Sequence, residues 1–575
     1  MKTPKIAAIV AFVFALAAAT AWTWKIHSFP TIGIDDANIF FSYAENLASG
    51  NGFTYARNGE PVEGFTSILW TVICAVSFYF GLDELGVFVF AFILFVATQF
   101  LLLGAIRNAT LPPDRNARFL QVIYAALVLS SPSYITWMTI TLMDTSLWGF
   151  IIAVMTYFLV SPPRSKLTIV IAAIAFGLAP AARPEALLVA PVFLALLWLR
   201  LMATCRKHAV RMCLCLALAF VATAVGLTIF RIQYFGYPFP NTYYAKVSPS
   251  IIYNLREGLY YIYGFALSGN VVSTLSLVPI IRVILWISET IKRLLNGSLI
   301  FTNMPTVSAG TAVSFATVTL LGIPVITGGD HFGLFRFFQP AYPLIILSAI
   351  LSVIELPALH AILPALTLRA RREYVLQTVA IGFVIACWFL TIASRPSWIS
   401  MHLNGSPIDH EFRIAENGIH NGYTLYALVA DSDVVPTLGV ITAGGVARTY
   451  SGKIIDLMGL NNSTIAHYPG ERRGTKNHAA FETDAFFLVE PDILLLKPIG
   501  WAADQLKGLC SDPRFIDSWR YGRIYSSHDH SRGINVLINS NFYNIIGTNA
   551  DLEYYDLMYW SNKWVEATIL PKREN

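Results

Sequence analysis

Two adjacent carboxylates, Asp35 and Asp36, open the stretch IDDANIFFSYAENLASGNGFTYARNGEPVEGFTSILW (34–70). Neighbouring acids shift one another, because ionising one disfavours ionising the other. A pair so tuned can take a proton from a hydroxyl or stabilise positive charge developing beside it. A plainer role stays open: acids before an apolar helix satisfy orphan backbone amides and complement the helix dipole. The residues that follow read as a helix, with Ile39, Tyr43 and Leu47 on one stripe and Phe40 and Ala44 beside it. Asn38, Ser42, Glu45, Asn46 and Ser49 point elsewhere, and Gly50 and Gly52 end it. The pattern predicts an amphipathic helix along a membrane surface, with the acid pair at its N-terminal end. Glu60 and Glu63 follow in the Gly- and Pro-punctuated loop GEPVEGFT.

Four more stretches carry polar chemistry between apolar runs. ARPEA places Arg183 and Glu185 at a helix junction, as a local ion pair or a binding pair. GYPFPNTYYAK (236–246) offers Asn241, Tyr243, Tyr244 and Lys246. Tyrosines at such a boundary commonly form an interfacial belt, but the amide, phenols and ammonium together suit a sugar phosphate. GGDHFGLFR (328–336) presents Asp330, His331 and Arg336 on a Gly-rich loop. Asp144 and Trp137, in WMTITLMDT, are weaker candidates, since Asp144 can simply cap the next helix. Each such group is costly near a bilayer unless paired or hydrated. The functional reading requires that these separate loops converge.

The elements that must bring them together are membrane spans. The chain has 575 residues, 55% hydrophobic and 13% charged, with mean hydropathy +0.57. Apolar runs cover 6–24, 66–82, 84–106, 119–132, 146–161, 168–182, 185–200, 212–230, 270–290, 309–327, 338–357 and 374–393. Basic clusters at Lys2/Lys5, Arg107/Arg115/Arg118, Arg164/Lys166, Arg200/Arg206/Lys207/Arg211, Lys292/Arg293 and Arg369/Arg371/Arg372 mark cytoplasmic loops. The polar stretches above then share the outer face. Parity admits one crossing across 66–106, so 66–82 is expected to be partly embedded or re-entrant, and the total is about eleven crossings. From about Ser394 the composition turns polar, and LGVITAGG, GKIIDLMGL and PDILLLKP read as short strands between helical patterns at 410–430 and 478–489. The expected architecture is an α-helical polytopic membrane domain (1–393) followed by an extracytoplasmic α/β domain (394–575). The charge of +5 falls in short loops and signals no nucleic acid. The six cysteines show no metal-ligand spacing. No P-loop, dinucleotide fingerprint, HExxH or nucleophile elbow occurs.

The motifs IDDA, NLASGNGFTYARNGEPVEGFTSILW, ARPEA, FGYPFPNTYYAK, GGDHFGLFRFFQPAYP and SGKIIDLMGLNN (451–462) occur in that order. Together they resemble the GT-C superfamily of polyprenyl-phosphate-sugar-dependent transferases. Within it the likeness is to the mycobacterial family that adds terminal β-1,2-arabinofuranose to cell-wall arabinan. The resemblance implies a catalytic acid in the first outer loop, here Asp35 or Asp36. It implies a polyprenyl-phosphate-linked donor, an envelope glycan, glycolipid or glycoprotein acceptor, and an inner-membrane location with the site on the extracytoplasmic side. Glu63, Arg183, Glu185, Asn241, Tyr243, Tyr244, Lys246, Asp330, His331 and Arg336 are then substrate-binding candidates, with Lys246, Arg183 and Arg336 facing the phosphate. The chain departs from the family at Leu142-Met143-Asp144-Thr145, where a Gly-Leu-Glu-Thr-like step is expected. No cofactor is required, and a divalent cation bridging the acid pair to phosphate is compatible with the pattern. A transporter or flippase of lipid-linked saccharide is the rival reading; it predicts charges midway through spans and repeated halves.

Overall fold

The computed structural model describes residues 3–27, 32–57, 59–110, 115–202, 206–296, 307–355, 397–429, 435–474, 479–495, 505–506, 508–526, 529–542 and 550–555. The span at 374–393 and the cluster Arg369/Arg371/Arg372 lie outside them. Apolar composition dictates helices, because a backbone in lipid must satisfy its own hydrogen bonds. They are α1 (Thr3–His27), α2 (Asp35–Ala48), α3 (Ile68–Tyr79), α4 (Asp83–Ala109), α5 (Arg115–Leu129), α6 (Pro132–Ile135), α7 (Thr145–Val160) and α8 (Lys166–Ala182). There follow α9 (Ala186–Met202), α10 (Arg206–Phe235), α11 (Asn241–Lys246), α12 (Ile251–Leu267), α13 (Val271–Leu275), α14 (Leu277–Leu295), α15 (Ala309–Thr327) and α16 (Tyr342–Ile354). The C-terminal part holds α17 (Trp398–Asn404), α18 (Asp409–Val429), α19 (Gly444–Ala447), α20 (Ser463–His467), α21 (Thr483–Val489) and α22 (Pro513–Ser518).

Among the described residues, 6 helical segments are long and apolar enough to cross a membrane, or 7 if the pair 117–129 and 132–140, bent by 75°, is one span. The expected count of about eleven also includes shorter apolar helices and the run 374–393, which lies outside the described residues. The helices at 68–79, 145–160, 166–182 and 186–202 are apolar but too short to qualify. The run 66–82 was expected to fall short of a crossing, and it yields only the 12-residue α3. The segment 131–145 is not the loop expected: α6 continues into a π-helical turn at Thr136–Ile140. Helix α12 carries no apolar run in the sequence and was not expected. On α10 the exposed residues Leu214, Leu218, Val221, Val225, Ile229 and Ile232 recur every three or four positions. An apolar stripe that faces outward along the whole helix suits lipid contact rather than a core.

The chain divides into two units. One comprises 1–29, 88–227 and 254–409; the other comprises 30–87, 228–253 and 410–575. In the first, α15 packs against α7, α9, α14 and α16. In the second, α2 lies against α3 and α19, beside a six-stranded sheet of order β2-β1-β3-β5-β4-β6. The strands are β1 (Leu438–Val440), β2 (Ile454–Asp456), β3 (Ile493–Leu494), β4 (Trp519–Ser526), β5 (Asp529–Asn539) and β6 (Ala550–Tyr555). β1 runs parallel to β2 and β3, while β5, β4 and β6 are joined antiparallel. The three parallel strands are short, buried and apolar, as LGV, IID and IL require. The hairpin of β4 and β5 has mixed polar composition and was not expected from sequence.

Candidate active site

The acid pair begins α2, as the sequence predicts, but capping does not explain it. Ile34 holds the N-cap position, and no side chain caps the helix. Instead the Asp35 carboxylate accepts from the backbone amides of Gly444 (3.0 Å) and Gly445 (2.8 Å) in α19. Glycine is required there: a Cβ on Gly444 would lie 1.7 Å from the Asp35 carbonyl oxygen. The other end of α19 is Arg448, whose guanidinium donates to Glu45 on α2 (2.6 Å), to Glu84 (2.7 Å) and to Asn38 (3.2 Å). It also lies over the rings of Phe41 and Phe78. A single short helix therefore grips α2 at its first turn and along its flank.

This grip changes the character of α2. Asn38, Ser42 and Asn46, expected to face away from the packing, are buried. The helix is enclosed on nearly every side within its unit, not laid on a surface with one polar face free. Burial pushes Asp35 up from 3.8 to about 7, the amides of Gly445 and Gly444 opposing it and the charges of Asp36 and Glu411 adding to it. Asp36 is different. Its side chain keeps 20% of its surface, and its carboxylate lies 3.8 Å from the Lys246 ammonium at the end of α11. Lys246 also acts on Asp456, at the end of β2, which burial raises to about 6. Asp456 accepts from the Met458 and Asn461 amides and from the Asn461 side chain. Asn461 in turn accepts from the Tyr43 hydroxyl of α2. Asp456 escaped the sequence reading because a lone acid ending an apolar strand has no spacing signature, although it lies within the SGKIIDLMGLNN motif.

Glu63 forms a buried bidentate pair with Arg231 (2.8 and 3.0 Å), and burial still raises its carboxyl above the ordinary value. Its backbone carbonyl accepts from the amide of Asn241. The Asn241 side chain donates to the carbonyls of Gly459 and Leu460. Tyr243 is exposed, while Tyr244 and Tyr237 hold the His467 ring between them, with centroids at 4.2 and 3.8 Å. So Asp35, Asp36, Glu63, Asn241, Tyr243, Tyr244 and Lys246 all belong to the second unit.

The remaining candidates gather in the first unit. Arg183 donates to both Asp144 oxygens (2.9 and 3.0 Å) and, in bidentate fashion, to Glu185. Arg336 donates to Asp330 (2.7 Å), and its guanidinium stacks over Phe332 and Phe337. His331 lies 3.6 Å from Asp330. Two arginines thus meet three carboxylates, Asp144, Glu185 and Asp330. Asp144 has both carboxylate oxygens bonded to Arg183. Arg183, Glu185 and Arg336 line a narrow recess together with Trp148 and Phe337. These charges sit at helix ends: Asp144 at the N-cap of α7 and Arg183 at the C-cap of α8. One further buried pair was missed. His27, closing α1, bonds Asp409 (2.5 Å) and Thr136 (3.1 Å).

Among the described residues, no three His, Cys, Asp or Glu side chains are placed to hold a metal ion.

No family model matches the chain, and no curated protein matches it. Solved structures that resemble it include two of ArnT from Cupriavidus metallidurans. The form bound to undecaprenyl phosphate has a TM-score of 0.49 at 13% identity, over 93% of this chain and 98% of that one. The apo form has a TM-score of 0.48 at 13% identity, over 94% of this chain and 99% of that one.

Proposed function

We propose that this chain is a multi-pass membrane glycosyltransferase. It moves a sugar, arabinofuranose or a similar pentose, from a polyprenyl-phosphate donor to a glycan, glycolipid or glycoprotein acceptor on the extracytoplasmic side of a bacterial plasma membrane. The observation that carries this reading is the contrast within the acid pair: Asp35 is buried and bound by two amides, while Asp36 keeps 20% of its side-chain surface and lies 3.8 Å from the Lys246 ammonium. A part-exposed carboxylate beside an ammonium suits deprotonation of a hydroxyl beside a departing phosphate.

In this reading the acceptor hydroxyl donates to Asp36. As its oxygen bonds the anomeric carbon, the bond from that carbon to the phosphate oxygen breaks. The hydroxyl proton passes to Asp36, and the electron pair leaves on the polyprenyl phosphate, whose charge Lys246 stabilises. Asp35 is a positioning residue that fixes the first turn of α2.

Asp36→Asn tests this. Transfer from a radiolabelled lipid-phosphate pentose in membranes should fall by about 10²–10⁴ with protein levels unchanged; near-normal turnover overturns the assignment. The transporter alternative has less support, because the ionic network of the first unit lies at helix ends and not midway through spans. A transporter would also leave the lipid-linked sugar chemically intact in detergent.

A further inference from the structure

Two recesses in the second unit meet along the loop after Gly59. One, of about 670 Å³, is lined by Glu60, Tyr237, Phe239, Asn241 and Ser463. The other, of about 880 Å³, runs beside β2 and is lined by Lys453, Asn462 and Thr464. Glu60, Val62 and Ser463 line both, so the two recesses adjoin in one grooved surface.

Its chemistry is specific. Tyr237 and Phe239 are 37% and 43% exposed. Asn241 is only 4% exposed, yet its Oδ1 has no hydrogen-bond partner, although its amide nitrogen is fully used. Asn241 is one of the residues that line the groove. Nearby, His467 Nε2 is likewise without a partner. The ionisable side chains of the lining are Glu60, Lys453 and Glu63, the last already paired with Arg231. Such a lining gathers no cations for a polyanion, and it is too polar for an acyl chain. Apolar ring faces combined with amides, hydroxyls and one carboxylate match a neutral saccharide, whose C–H faces stack on aromatics while its hydroxyls donate and accept.

We infer that this groove binds a linear oligosaccharide, the acceptor strand, across more than one sugar ring. The inference rests on the glycosyltransferase reading for its choice of glycan. Asn241 begins α11 and Lys246 ends it, a rise of about 8 Å. A chain end leaving the groove at Asn241 therefore reaches the Asp36–Lys246 pair within about two rings.

Saturation-transfer NMR on the full-length protein in nanodiscs tests this, with a linear arabinofuranose tetrasaccharide and free arabinose as probes. The tetrasaccharide should bind, and arabinose should bind at least about tenfold more weakly. Tyr237→Ala and Phe239→Ala should each weaken the tetrasaccharide by about fivefold to tenfold. Glu60→Gln, on an exposed loop, should weaken it too and guards against misfolded aromatic variants. The inference is overturned if the tetrasaccharide does not bind, if arabinose binds equally well, or if all three variants bind like wild type. It is also overturned if the aromatic variants lose only membrane retention, which would make these rings an interfacial belt. Asp36→Asn should bind the tetrasaccharide as wild type does. If Asp36→Asn keeps transfer while the groove still binds, the catalytic assignment fails and the groove stands.

Discussion

Asp35 and Asp36 look equivalent in sequence, but a single pair of amides separates their roles. In the unfolded chain Asp35 ionises near 3.8, and in the fold near 7. Between those values the folded state holds the extra proton. Its contribution to stability is therefore fully present below about pH 4 and is lost as pH rises through 7. The raised value corresponds to about 4 kcal/mol across that window. Asp456, raised to about 6, adds a slope of the same sign. Thermal unfolding should accordingly give a lower Tm at pH 7.5 than at pH 5. Asp35→Asn should flatten that slope, since its amide oxygen still accepts from one of the two glycine amides and never ionises. If the Asn variant keeps the full wild-type pH dependence, Asp35 is not the group that sets it.

At the scale of elements, the contacts that fix the acid pair are long in sequence. Gly444→Ala forces a Cβ against the Asp35 backbone. It should lower Tm and reduce transfer together, whereas Asp36→Asn should spare Tm; a Gly444→Ala protein with normal activity and Tm would show that α19 does not position α2. Arg231→Leu leaves Glu63 buried and unpaired, at a cost of about 3–5 kcal/mol. Glu63→Gln with Arg231→Leu together should recover part of that loss in a double-mutant cycle, and simple additivity would deny the pairing. Helix α2, its terminating glycines and the three parallel strands were legible because periodicity and turn residues are local signals. The partners of the polar residues were not. That Arg183 would bond Glu185 could be anticipated from ARPEA, but its second partner Asp144 lies 39 residues away. That Asn38, Ser42 and Asn46 would be buried contradicts their polarity, and their partners explain it: Asn38 bonds Arg448 and the Ile34 carbonyl, Ser42 the Asn38 carbonyl, and Asn46 the Thr54 carbonyl. The Asn241 groove was equally hidden, because its walls come from four chain segments.

At the scale of the whole molecule, the apolar helices are unequal in length, and that should make the protein sensitive to bilayer thickness. Helices α7, α8 and α9 have 16, 17 and 17 residues, a rise of about 24–26 Å, against a hydrocarbon core of about 30 Å. Shielding differs among them. Nearly all of α7 is buried by the protein itself. On α8 and α9, however, Leu167, Val170, Ile174 and Leu188 are exposed, so these two helices meet lipid directly. Longer helices such as α4 and α10, with 27 and 30 residues, can tilt to fit a thinner membrane, but short helices cannot stretch to fit a thicker one. Reconstitution in phosphatidylcholines with monounsaturated chains of increasing length should therefore give the highest Tm and turnover in the thinner bilayers, with a progressive fall toward twenty-two-carbon chains. The fall should appear in Tm before it appears in sugar transfer, because the acid pair is held within the second unit by α19 and not by α8 or α9. A flat profile, or an optimum in the thickest bilayer, would mean that α8 and α9 do not contact the hydrocarbon core as their exposed faces indicate.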